Sequence, residues 1–267
     1  MRARPRGGRP ASGVWRGRGL RRGLWFLGPV SLVALWEIVS LFPSLPDYVL
    51  PSPEATIAAL AKDAALIGSH LLATVAAALG GLAVATGAGL LVAAAMNARR
   101  PLGEVIYAQM VLSQAVPLIA VAPIVLIWFG LGVLAKLLIV AFVCFFPIAV
   151  STYEGFRTVQ MEQLDLLRTF GASRWQYYRH LFLPATLPGT FAGLKIAATY
   201  SVLGAIVGEW LGGTKGMGIY MTRALQSFRT ERLFAAILAV MLTSYALFSG
   251  VRWVGNRLTP WVERREP

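Results

Sequence analysis

Leu134-Ala135-Lys136-Leu137-Leu138-Ile139-Val140-Ala141-Phe142-Val143-Cys144-Phe145-Phe146-Pro147-Ile148-Ala149-Val150-Ser151-Thr152 carries a single charge, at Lys136 near its start. A helix of nineteen such residues is about 29 Å long, the thickness of a bilayer's hydrocarbon core. A soluble fold would have to wrap this stretch on every side. Pro147 in its middle is no objection, because membrane helices tolerate proline where neighbouring helices satisfy the freed backbone.

Comparable stretches lie on both sides. Towards the N-terminus they are Leu24–Phe42, Leu71–Met96 and Val105–Ile127; towards the C-terminus they are about Gly189–Trp210 and Leu233–Val254. Six apolar segments predict an all-α membrane protein with six transmembrane helices. The whole chain agrees: of 267 residues 57% are hydrophobic and 14% charged, and the mean hydropathy is +0.63. Such a composition excludes most soluble enzymes. The lone Cys144 excludes an intrachain disulfide and a cysteine-built metal cluster.

The formal charge of +13 raises the question of nucleic acid, but its distribution points to a membrane. Residues 1–22 hold eight arginines and no acid, and read as a disordered cytoplasmic tail before a six-span domain over 23–267. Arg21-Arg22 before an apolar run also resembles an export signal; the length of that run and its lack of a small-residue cleavage site favour a first span. With six spans both termini share a side. The tail, Arg99-Arg100, Arg157, Arg168, Arg174, Arg179 and Arg264-Arg265 all fall there, which makes that side the cytoplasm. One outer connection departs from this bias, with Lys215, Arg223, Arg229 and Arg232 against Glu231.

The connections carry their own signals. Pro43, Pro46, Pro51 and Pro53 end the first span, and Glu54–Ile67 suits a short interfacial helix. Glycines 80, 81, 87 and 89 give the second span a surface for close helix approach. A further short helix is expected near 219–228. Between the fourth and fifth spans, residues 154–188 are much more polar. Met161–Phe170 reads as one short helix, Gly171-Ala172 as a turn, and Ser173-x-x-Gln176 as a capping box opening a second helix that stops before Pro184. Gly171 is needed if the turn requires a positive φ. The segment is either an amphipathic linker on the membrane or a docking knob in which Asp165, Arg168, Arg174 and Gln176 surround exposed Leu166, Leu167 and Phe170. No Gly-x-x-x-x-Gly-Lys-[Ser/Thr] sequence is present, so nucleotide hydrolysis would belong to another protein.

Asp165-Leu166-Leu167-Arg168-Thr169-Phe170-Gly171-Ala172-Ser173-Arg174-Trp175-Gln176, continuing to Leu183-Pro184-Ala185-Thr186-Leu187-Pro188, resembles the EAA signature of bacterial binding-protein-dependent ABC transporter permeases. Asp165 keeps the acid of the signature's opening, while Leu166 and Leu167 replace its two small residues. The resemblance extends over about 24–261. Leu50-Pro51-Ser52-Pro53, Trp128-Phe129-Gly130-Leu131-Gly132 and Gly208-Glu209-Trp210-Leu211-Gly212 resemble the nitrate, sulfonate and taurine group. Ser113-Gln114-Ala115-Val116-Pro117 and Ala198–Trp210 look more like its hydroxymethylpyrimidine branch, which handles a thiamine precursor.

The resemblance implies a type I importer permease fold, MetI-like, with no catalytic residue of its own. It implies a permease homodimer, two cytoplasmic ATPases holding ATP and Mg, and an extracytoplasmic substrate-binding protein. The residues implied to dock on the ATPase are Asp165, Leu166, Leu167, Arg168, Gly171, Ala172, Ser173, Arg174, Gln176, Leu183 and Pro184. The alternative cargo is nitrate, a sulfonate or taurine, and the alternative class is a membrane-embedded enzyme or scaffold.

Four residues are candidates for the translocation path. Glu209 near the outer end of the fifth span is costly in hydrocarbon unless it meets water or a partner, and a structural hydrogen bond is its competing reading. Gln114 and Pro117 either expose a polar group to a central pathway or kink and pack the third span. Tyr200 suits an aromatic passenger or ordinary packing. Glu37 and Lys195 fit interfacial or bundle positions, and His70 and His180 fall on opposite predicted faces, so a shared metal site is not expected.

Overall fold

The structure is a computed structural model that describes residues 17–43 and 46–262. The arginine-rich residues 1–16 and the terminal Arg264-Arg265 lie outside the described residues. The described chain is helical: α1 Gly17–Ser40, α2 Pro53–Lys62, α3 Ala64–Ala98, α4 Arg100–Ser113, α5 Leu118–Phe129, α6 Val133–Arg157, α7 Met161–Thr169, α8 Arg174–Tyr177, α9 Leu183–Gly212, α10 Met217–Gln226 and α11 Thr230–Leu258. A single π-turn, Tyr178–Phe182, joins α8 to α9.

Four helices are long and apolar enough to cross a bilayer: α3, α6, α11 and the continuous rod Arg174–Gly212 that contains α9. The apolar part of α1, Gly28–Ser40, is shorter. Its N-terminal boundary lies five residues before the tail's expected end at 22.

The third span, expected over Val105–Ile127 with a pathway group or a kink at Gln114 and Pro117, is broken into two arms. Pro101–Ser113 and Leu118–Phe129 meet at 99° across a four-residue break. The cause is local. Pro117 has no N–H to give the helix, and its ring drives Val116 out of the helical region. Gln114, Ala115 and Val116 therefore close tight i→i−3 bonds to Val111, Leu112 and Ser113 before Pro117 opens α5 in an extended conformation.

Helices α3, α6 and α9 form the core. Lipid tails offer helices no hydrophobic reason to associate, so contact comes from backbones that approach closely over small residues. Gly81 and Gly89 of α3 lie directly against Val140 and Ile148 of α6, and Gly193 of α9 lies against the Pro147 carbonyl. Gly87 faces open space instead. Ala78, Ala85, Ala197, Ala198 and Ala205 fill the seams around Val140, Cys144 and Val202. Polar contacts cross the seam of α6 with α9: Thr152 Oγ1 donates to Thr190 Oγ1 at 3.1 Å, and Cys144 Sγ donates to the Ala197 carbonyl at 3.2 Å.

The expected helix stop before Pro184 does not occur. The Leu183 N–H bonds the Tyr178 carbonyl, five residues back, and this wider π register lets the chain run on through Pro184 and Pro188 into α9. At the opposite end, Ser52 caps α2 by accepting the Ala55 N–H at 3.1 Å with Pro53 at the first helical position. Trp36 of α1 donates to the Pro51 carbonyl at 3.0 Å and packs on Phe234 of α11.

Candidate functional site

Two regions carry polar chemistry beyond the packing of spans, one at each end of the bundle. The first is residues 161–184. Helix α7 ends where Gly171 takes φ +69°, the left-handed conformation anticipated for this turn. A side chain there would meet open space, so the requirement for glycine is set by backbone geometry. Ser173 then caps α8: its hydroxyl accepts the Gln176 N–H at 3.4 Å, and the Gln176 side chain accepts the Ser173 N–H at 2.6 Å. This is the reciprocal capping box read from the sequence.

Neither α7, α8 nor the π-turn buries a single residue within the protomer. Leu166, Phe170 and Trp175 are 58%, 77% and 70% exposed. Asp165 and Arg168 pair at 3.0 Å on this surface, and Arg174 and Gln176 are exposed beside them. Leu167 and Ala172 are partly buried, as is Pro184, while Leu183 is exposed at the start of α9. A cleft of about 580 Å³ separates α7 from the body, lined by Met96, Glu104, Tyr153, Arg157 and Leu164 among others. Rigid, capped and apolar at its tip, the segment has the makings of a protein contact. Trp175 and Met161 belong to this surface although neither was singled out from the sequence. Their only signal was apolar character in a polar segment.

The second region lies where α9 turns into α10. Glu209 is fully buried. Its Oε1 accepts from the Thr74 hydroxyl and its Oε2 from the Gly218 N–H, both at 2.8 Å. The Met217 N–H donates to Thr74 Oγ1 at 2.8 Å, and His70 Nδ1 lies 2.8 Å from the Gly216 carbonyl. Gly216 has φ +139°, and a side chain there would overlap the Glu209 carboxyl. The carboxylate thus ties the C-terminal end of α9 to α3 and to the start of α10. Farther out, Asp63 pairs with Arg232 at 3.0 Å and accepts the Tyr220 hydroxyl at 2.9 Å. Burial first, then the Asp63 carboxylate, pushes the Tyr220 phenol well above its ordinary range and keeps it a donor.

The other path candidates lie elsewhere. Gln114 and Pro117 are exposed at the α4–α5 break, and Tyr200 is 45% exposed on the face of α9 that bears Ile196 and Leu203. Glu209 alone of the four is inside the protomer. His70 belongs to the network around Glu209 and His180 to the exposed π-turn.

Comparison with known proteins reaches most of the chain. The family model for the inner membrane component of binding-protein-dependent transport systems matches residues 85–260. The formylaminopyrimidine transport permease ThiX of Halalkalibacterium halodurans is 34% identical over 88% of this chain and 94% of its own. The riboflavin transport system permease RibX of Chloroflexus aurantiacus is 33% identical over 92% and 94%, and the taurine permease TauC of Escherichia coli 27% over 86% of each. Among solved structures, the inward-facing MetNI methionine ABC transporter superposes with a TM-score of 0.56 at 18% identity, covering 73% of this chain and 94% of that one. That likeness concerns the fold.

Proposed function

Since the chain belongs to the inner membrane components of binding-protein-dependent transport systems, and is thus a multi-pass permease subunit of an ABC importer, we propose that it carries a pyrimidine precursor of thiamine into the cytoplasm. The permease acts as a homodimer. Two ATPases, which bind ATP and Mg²⁺, seat on residues 161–184 of the two protomers, and an extracytoplasmic binding protein delivers the cargo to the opposite face. Both termini, with the arginine-rich tail, are cytoplasmic.

The single observation that supports this reading is the capped segment 161–177, which holds Leu166, Phe170 and Trp175 out of the protomer on a rigid turn. An element that buries none of its residues within its own chain, and holds apolar side chains outward, is explained by packing against another. When the ATPases close on ATP, the segment moves with them. The π-turn runs without interruption into α9, so that movement is passed directly to a core span. Opening to the outside receives cargo, and hydrolysis returns the path inward.

The pyrimidine assignment draws on the greater identity with a formylaminopyrimidine permease than with a taurine permease, and on Tyr200, whose exposed ring suits an aromatic passenger. Riboflavin, also a flat heteroaromatic, is the second reading, favoured by the riboflavin permease relative. Uptake by cells expressing the complete importer tests the assignment. Labelled formylaminopyrimidine or hydroxymethylpyrimidine is expected to accumulate, with riboflavin and taurine neither accumulated nor competing. Accumulation of taurine or riboflavin without the pyrimidines would overturn it.

A further inference from the structure

The outer basic residues that break the charge rule are gathered into one place by the fold. Arg223 on α10, Arg229 in the turn that follows and Arg232 on α11 surround a recess of about 100 Å³, with Tyr220, Ser227 and His70 also in its walls beside Leu66 and Ala224. Arg232 is paired with Asp63. Among the described residues no ion pair engages Arg223 or Arg229, and both are exposed. Guanidinium groups gathered around one recess repel each other, and an anion placed between them relieves that repulsion with charge-assisted hydrogen bonds. The recess is far smaller than a pocket for a whole metabolite, and its volume suits one carboxylate.

The turn bearing these arginines is itself unusual. Phe228 has φ +54°, the one positive value for a residue other than glycine among the described residues. It closes α10 where glycine is the usual choice, with Phe228 N–H on the Leu225 carbonyl at 3.1 Å and Arg229 N–H on the Ala224 carbonyl at 3.0 Å. The phenyl ring is left 76% exposed, beside Leu225 at 60%. An aromatic ring and arginines fixed on a tight turn have the composition of a protein interface centre.

We propose that the α10–α11 corner is a docking site for the extracytoplasmic binding protein, which places an acidic side chain between Arg223 and Arg229 and packs its surface on Phe228. This rests on the reading of the chain as a binding-protein-dependent permease. A lipid phosphate has the same charge, but the wall of the recess connects to the interior in a way that suits a signalling contact. His70 lines it and bonds Gly216, Met217 bonds Thr74, and Thr74 bonds Glu209 of α9. A partner seated in the recess therefore bears on the same span whose other end carries the ATPase-coupling segment.

The test uses the permease assembled with its ATPases in vesicles of neutral lipid, and in a parallel series with increasing phosphatidylglycerol, titrated with its binding protein while ATP hydrolysis is followed. Arg223→Glu combined with Arg229→Glu is expected to raise the half-maximal concentration of binding protein by about tenfold or more, with a steeper effect at low salt. The Arg223→Gln, Arg229→Gln pair, which keeps the fold if charge reversal disturbs assembly, is expected to shift it less in the same direction. Reversing one carboxylate on the binding protein to lysine should restore the Glu pair towards the original value. An unchanged half-maximal concentration in both pairs overturns the docking site. So does a defect that follows the phosphatidylglycerol content of the vesicles and not the binding protein, which would make the recess a lipid site. If the unaltered complex fails to respond to its binding protein, the transport reading falls with it.

Discussion

At position 209 a carboxylate is enclosed at the end of a membrane span, and its burial is compensated bond by bond. Thr74 and Gly218 donate to its two oxygens, while Gly216 leaves room for it. Glu209→Ala strands the Gly218 N–H and leaves the Thr74 hydroxyl only its longer bond to the His70 carbonyl at 3.3 Å, and a buried donor without an acceptor costs about 1–3 kcal/mol. Glu209→Gln keeps an oxygen for Thr74 but turns an NH₂ towards another donor. Thermal unfolding of the purified permease is expected to rank the wild type above Gln and Gln above Ala; equal transitions would show that the network does not hold the outer end together. The sequence marked Glu209 as anomalous because one acid in an apolar run is visible locally. Its partners were not legible, because Thr74 and His70 stand more than 130 residues away and only the packing of α3 on α9 joins them. Gly171, by contrast, was readable because everything that demands its left-handed conformation lies within a few residues.

At the scale of elements, proline decides where spans are continuous. Pro117 breaks the third span into two arms, whereas Pro184 and Pro188 are absorbed into one rod because a π-turn precedes them. Both were visible in the sequence as breakers. Which would turn the chain and which would be accommodated depends on the hydrogen-bond register that packing selects. Spin labels at positions 105 and 127, in a chain with Cys144 replaced, distinguish the two geometries. A straight helix would separate those backbone positions by about 33 Å, and a bend near a right angle brings them to about 20 Å. The shorter distance is expected in the membrane; the longer one would show the third span to be a straight helix.

Over the whole molecule, apolar segments laid out the architecture before any contact was known: long spans, polar connections and a capped segment standing clear of the bundle. The chain's similarity to transport permeases extends over 88% of its length, and the fold agrees. The buried outer network and the basic recess came from the fold alone. The central claim is that residues 161–184 are where the motor engages. It is tested most directly by isolating the permease from membranes with and without Gly171→Asp and measuring the ATPase recovered with it, together with uptake. The turn has space for the added side chain, and aspartate tolerates a positive φ better than most residues, so the protein should insert normally. The expected result is an inserted permease that recovers little ATPase and imports nothing. Undiminished ATPase and uptake in the Asp variant would contradict the account.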